Sequence, residues 1–124
     1  MAINYSTEIK NVRLEVVRAA IDAGAAPGKV CIYTAQYVFL LAAIEFAYPC
    51  GIVADGILTF SGLPKSGIGV REGNAAIARV YDSKGTIISD GHTVGMIGTD
   101  LVIDSVTIAA GKTVTLLAGS IIHG

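Results

Sequence analysis

The feature that most restricts this chain is the apolar stretch QYVFLLAAIEFAYPCGIV, residues 36–53. A helix that crosses a bilayer needs about 20 mostly apolar residues. The uninterrupted run here reaches only from Tyr37 to Ile44 before Glu45 intervenes. Pro49 then removes a backbone donor, and Gly51 and the pair Asp55-Gly56 mark turns. Val, Phe, Ile and Tyr favour strands, and a short apolar run between turn signals is the pattern of a strand buried on both faces. The stretch therefore reads as a strand and not as a membrane span. Side chains alternate across a strand, so Val38, Leu40, Ala42, Ile44 and Phe46 are expected to line a core. Phe39, Leu41 and Ala43 fall on the other face with Glu45 and are candidate contacts for a neighbouring subunit.

The segment before it has a different period. From Ser6 to Ala23, Ile9, Val12, Val16, Ala19, Ala20 and Ala23 recur at helical spacing. Ser6 is a suitable N-cap, Glu8 suits the first turn, and Gly24 with Pro27-Gly28 stops the helix. Arg18 is spaced to pair with Glu15 and with Asp22. A second apolar set, Leu14, Val17 and Ile21, widens the apolar arc beyond what packing on one sheet requires. Two readings follow, a helix sunk deep in its own domain or a helix shared with a neighbour. On the second, Leu14, Val17 and Ile21 are contact residues.

After Pro27 the chain reads as short strands and turns. KVCIYTA, the long apolar run, GILTFSG, AAIARVY, GTIISDG, TDLVIDSVTI and TVTLLAGSII are separated by glycine-bearing turns, and glycine supplies 15 of 124 residues. AAIARVYDSKGTIISDG is the clearest hairpin, with Ala76, Ala78 and Val80 on one face and a type I turn over Asp82-Ser83-Lys84-Gly85. LPKSGIGVREGN reads as a Gly-rich loop or irregular edge. Roughly eight strands at about ten-residue spacing are the pattern of sandwiches, jelly rolls and barrels. The expectation is one domain over residues 1–124, mainly β, built as an antiparallel, jelly-roll-like β-sandwich over about 29–122. One α-helix, about 6–23, precedes it.

The chemistry is sparse. GIGVREG misses the GxGxxG spacing by one residue and does not sit between a strand and a helix, so no phosphate site is read there. Asp100 and Asp104 lie roughly 13 Å apart along a strand, too far for a carboxylate pair or for one calcium. His92 and His123 have no nucleophile motif and no second ligand at metal spacing. Cys31 and Cys50 form no CxxC, and the opening MAINYSTEIK lacks a signal-peptide pattern, so both read as reduced, small, buried residues. Asn4-Tyr5-Ser6 matches a glycosylation sequon, without meaning where no secretion signal precedes it. No catalytic, cofactor or metal residue is assigned, and the chain reads as a non-enzyme without cofactors.

Charge narrows the partners. Nine basic and ten acidic residues leave a formal charge of −1, and charged residues amount to 15%. Typical soluble domains carry about a quarter. Neither nucleic acid nor an anionic membrane is indicated, and no Lys or Arg interleaves Tyr33, Tyr37, Phe39 and Tyr48 in the sequence. A skin this poor in charge suggests surface covered by other subunits.

The stretches DAGAAPGKVCIYTA, GILTFSGLPKS, RVYDSKGTIISDG and IGTDLVIDSVTIAAGKTVTL resemble small virion proteins of tailed bacteriophages, with the likeness running through the whole chain. These are scaffold motifs of helix stop, strands and turns. The resemblance implies a capsid cement or decoration protein with a jelly-roll-like sandwich, clamped over joints between major capsid subunits. It implies a homo-oligomer, made in the bacterial host cytoplasm and placed on the capsid exterior, with itself and the major capsid protein as partners. The heavily apolar YVFLLAAIEFAYPC departs from the more polar strands of that group. A neck, tail or fibre-attachment protein of the virion, and a carbohydrate-binding β-sandwich, are the alternatives.

Overall fold

A computed structural model describes residues 5–24 and 26–122; the sequon residue Asn4 and His123 lie outside them. Helix α1 (Thr7–Ile21) starts where Ser6, in extended backbone, accepts the Ile9 N–H on its hydroxyl at 3.3 Å. Glu8 in its first turn and Arg18 in its last both suit the helix dipole. Eleven strands follow among the described residues: β1 (Lys29–Tyr33), β2 (Leu40–Glu45), β3 (Gly51–Ala54), β4 (Ile57–Phe60), β5 (Lys65–Ile68), β6 (Gly73–Asn74), β7 (Ile77–Tyr81), β8 (Ile87–Gly95), β9 (Leu101–Ile103), β10 (Thr107–Ile108) and β11 (Thr113–Ile122). The short pair β6 and β10 forms its own ribbon; the other strands make one sheet, ordered β2-β1-β7-β8-β9-β11-β4-β3, with β5 also on β11.

The molecule is mainly β with one helix, as its periodicities indicate, but the sheet is mixed. All its pairs are antiparallel except β8 with β9, which run parallel through Val94–Leu101 and Gly95–Val102. Short connections normally favour hairpins. This ladder covers so little strand that the loop 96–100, with Gly98 at φ 71°, returns the chain far enough. The sheet also curls until its ends approach. Ala42 bridges Gly69 beyond β5, and the Val70 N–H donates to the Leu41 carbonyl at 2.8 Å. Strand β5 crosses β2 in backbone contact: a Cβ on Gly67 would stand 2.3 Å from the Ala43 carbonyl oxygen.

Inside the curl lie Val30 and Ile32 of β1, Ile44 and Phe46, Leu58 and Phe60, Ala78 and Val80, Leu101 and Ile103, and Val114 and Leu116. Phe46 stacks on Phe60 with ring centroids 4.4 Å apart. The helix closes one side with Leu14 and Ile21, both buried, and with half-buried Val17. Asp22 at its C-cap fixes the docking angle. One carboxylate oxygen takes Arg18 Nη1 at 3.1 Å and the other takes the buried Cys50 N–H at 3.0 Å. The expected Arg18–Glu15 pair also forms, at 3.1 Å. The hairpin turn follows its chemistry: Asp82 Oδ1 accepts the Lys84 and Thr86 N–H groups at 2.9 Å, and Gly85 adopts φ 86°.

Three expectations about faces need correction. Helix α1 is turned the other way, so that Leu14 and Ile21 are core while Ile9, Val12 and Val16 are exposed. An arc this wide is apolar in both directions, and the better-filled volume lies on the side with the larger Leu and Ile side chains. Next, the run from Tyr37 is not strand from its start: a helical turn at Ala35–Tyr37 precedes β2. The β1–β2 register then shifts between Ile32 and Tyr33, leaving Leu41 opposite no partner. That bulge breaks the two-residue alternation. Leu41 and Ala42 are consequently both buried, whereas Val38 and Leu40 are exposed. Finally, of the hairpin residues expected to share one face, Ala78 and Val80 are buried, whereas Ala76 is exposed and precedes β7.

Candidate docking surface

The chain leaves β1 at Tyr33 and must reverse before β2. It does so in a loop drawn shut by Thr34, whose N–H donates to the Phe39 carbonyl at 3.0 Å and whose hydroxyl accepts the Phe39 N–H at 3.0 Å. Inside it, Gln36 at φ 60° and Tyr37 at φ 57° occupy the left-handed region without being glycine. Each such residue costs about 1–2 kcal/mol, so the surroundings must hold it there. They do. The Tyr37 hydroxyl accepts the Gly91 N–H at 2.6 Å, its ring meets the Tyr33 ring edge-on at 5.4 Å, and Arg79 lies 3.9 Å over its face. The tyrosine hydroxyls of Tyr33 and Tyr81 share a hydrogen bond at 2.7 Å. Burial, then that bond, pushes the Tyr33 hydroxyl up to about 12.

The consequence is that Val38, Phe39 and Leu40 are held out in solvent by a rigid base. Arg71 caps the Phe39 ring at 3.7 Å. The sheet aligns the rest: Ala43, Cys31 and Arg79 stand in one row across β2, β1 and β7, and Glu45, Lys29 and Tyr81 in the next. The Arg79 Nε is shut off from solvent without a hydrogen-bond partner among the described residues.

Two further apolar surfaces stand open. Ile9, Val12 and Val16 make a stripe along α1, with Val16 66% exposed. The outer face of β3, β4, β11 and β9 carries exposed Ile52 and Ile122 and an open groove of about 580 Å³ whose lining includes Ile57, Val102 and Leu117. Asp100 is the groove's single charged residue, and its carboxylate already accepts the Thr93 N–H at 3.0 Å and hydroxyl at 3.1 Å. A lone, engaged carboxylate offers no acid–base pair.

Of the residues expected at a contact, Phe39 and Ala43 are exposed, Phe39 beneath Arg71 and Ala43 in the row of Cys31 and Arg79, Val17 is half-buried, and Leu14, Ile21 and Leu41 are interior. Ile9, Val12, Val16, Arg71, Arg79 and Tyr81 were not marked as contacts by sequence reasoning. Strand alternation sets Arg79 and Tyr81 on the face of β7 opposite Ala78 and Val80, but only the β1–β7 pairing brings them beside Tyr33. Asp104 accepts the Thr115 N–H, and Asp100 is taken up by Thr93, so the two carboxylates serve separate turns. Among the described residues no three potential metal ligands cluster, and no helix is long and apolar enough to cross a membrane. Cys31 and Cys50 are free and buried, and burial pushes the Cys50 thiol up to about 12.

His92 is buried in β8, with Nε2 2.7 Å from the Ser89 hydroxyl, and it faces the carboxylates of Asp90 and Asp100. Burial outweighs those charges and holds its pKa below the usual histidine range. A base held neutral in the fold takes up its proton more readily when unfolded. Stability should therefore be full above roughly pH 6.5 and decline as the pH falls toward the depressed folded value. Thermal melts across that interval should fall more steeply for the native protein than for His92→Gln, and parallel curves would contradict this. No family model, no curated protein and no solved structure matches the chain.

Proposed function

We propose that this protein is a non-catalytic structural subunit that works by docking, and that its station is the outside of a phage capsid as a cement protein. The curled sheet is then a flattened, jelly-roll-like sandwich, stiff enough to bridge joints between major capsid subunits. The observation that carries the reading is the quantity of large apolar side chains left in solvent by a well-packed core: the α1 stripe, the Val38–Leu40 loop and the outer sheet face. With charged residues at 15%, these surfaces have little polar cover, and we read their grouped exposed apolar side chains as interaction sites. Many copies, each adding a modest interface, stabilise a shell through multivalency. Such work needs rigidity and shape, which the chain has, and no cofactor. Nothing in the groove supplies paired acids or a nucleophile with a base.

The test is quantitative mass spectrometry of particles purified from the virus that carries this sequence. Copies as numerous as major capsid subunits are expected. Absence from the particle would sink the reading, and a handful of copies per particle would move the protein to neck, tail or fibre.

A further inference from the structure

We infer that the Thr34–Leu40 loop takes a second copy of this chain, and that the element docking there is α1 of that copy; this rests on the docking reading and names one of its partners. The loop sets the requirement. Among the described residues the only ion pairs are those of Arg18 with Glu15 and Asp22, so the exposed Arg71 has no carboxylate partner there. Its guanidinium lies over the Phe39 ring of this loop, whereas that of Arg79 is held among Tyr33, Tyr37 and Tyr81 in the base beneath. Stacking engages the face of a guanidinium and leaves its in-plane N–H edge for a carboxylate. Beside Arg71, Val38, Phe39 and Leu40 are exposed. A fitting partner is apolar along its middle and acidic along one edge.

Helix α1 has that pattern. Ile9, Val12 and Val16 form its exposed stripe. At about 100° per residue, Glu8 and Glu15 fall along one flank of the stripe and Arg13 along the other. Glu8 forms no ion pair among the described residues, and Glu15, although paired with Arg18, is half exposed. The stripe is poorly suited to an antiparallel two-fold pairing with itself, because that arrangement sets each acidic flank against its own copy. Helix and loop are different surfaces of one molecule, so their contact is head-to-tail. A contact of this kind closes into a ring or continues as a filament.

Sedimentation velocity on the whole protein tests this. The native chain should run as a species larger than its 12.7 kDa monomer. Val16→Glu, which spoils the helix half, and Arg71→Glu, which spoils the loop half, should each weaken self-association at least about tenfold, with thermal melts matching the native chain at concentrations low enough for all to be monomeric. Val38→Asp is a second loop variant should Arg71→Glu alter the melt. The deciding sample mixes the two monomeric variants: one intact helix meets one intact loop, so a 1:1 dimer should form and go no further. A native monomer at all concentrations overturns the inference, as do loop variants that associate like the native chain, or a mixture that does not pair. Copies counted on particles separate the two ideas. A monomer abundant on capsids defeats this inference alone, whereas a ring-forming protein missing from particles defeats the capsid assignment alone.

Discussion

Replacing Val17 and Ile21 together by Glu should leave no folded protein. Ile21 is fully buried beside Leu14, and Val17 packs against the same core. A carboxylate forced into that site has no partner; it must either ionise in an apolar surrounding or take up a proton and remain unsatisfied. The pair of changes should cost on the order of 5 kcal/mol or more, comparable with the whole stability of many domains of this size. Far-UV circular dichroism and urea titration would read it directly. Val12→Glu and Val16→Glu, on the opposite side of the same helix, should shift stability by no more than about 0.5 kcal/mol. A reversed ranking would mean that α1 faces the sheet with its other side.

Phe46→Ala should be nearly as damaging. Phe46 is 1% exposed and stacks on Phe60 at 4.4 Å with planes 19° apart. Truncation removes the transfer free energy of the ring and leaves a cavity that the curled sheet cannot easily close. The β2 end is pinned to the β5 segment by the Ala42–Gly69 bridge. A loss of about 3–5 kcal/mol is expected, read as a lower urea midpoint with unchanged slope. Phe46→Leu should lose less than half as much. A loss below about 1 kcal/mol for Phe46→Ala would show that the two rings do not form the centre of the core.

Much of the local structure was legible because it depends on near neighbours. The Ser6 cap, the Arg18 pairs and the Asp82–Gly85 turn all rest on groups within a few residues of one another, and all formed. The long apolar run was legible only in part. Its reading as strand holds for Leu40–Glu45, but the bulge that buries both Leu41 and Ala42 depends on the register against β1. A one-residue offset reverses every side chain after it, and no local signal announces which pair of residues it will separate.

The candidate surface was the least legible. Phe39 and Ala43 could be marked from the run itself, whereas Arg71 and Arg79 reach that region from distant strands and their loops. The aromatic and cationic halves of the site are joined only when β1 lies between β2 and β7. Helix α1 makes the same point by its orientation: the period establishes an apolar arc, but two opposite sides of it are apolar enough to enter a core.

By itself, then, the sequence determined that the chain forms one amphipathic helix followed by short strands, where the helix begins and several turns fall, and that charge is scarce. Those properties follow from backbone preference, hydrogen bonds between close neighbours and composition. The tertiary structure alone decided the parallel β8–β9 step, the closure of β2 on the segment after β5, which side of α1 is buried, and the meeting of Arg71 and Arg79 with the Thr34–Leu40 loop. Each of these depends on contacts between residues far apart in the chain. Their outcome is set by which arrangement fills the core and satisfies the strand edges together, a condition on the whole molecule that no single segment carries.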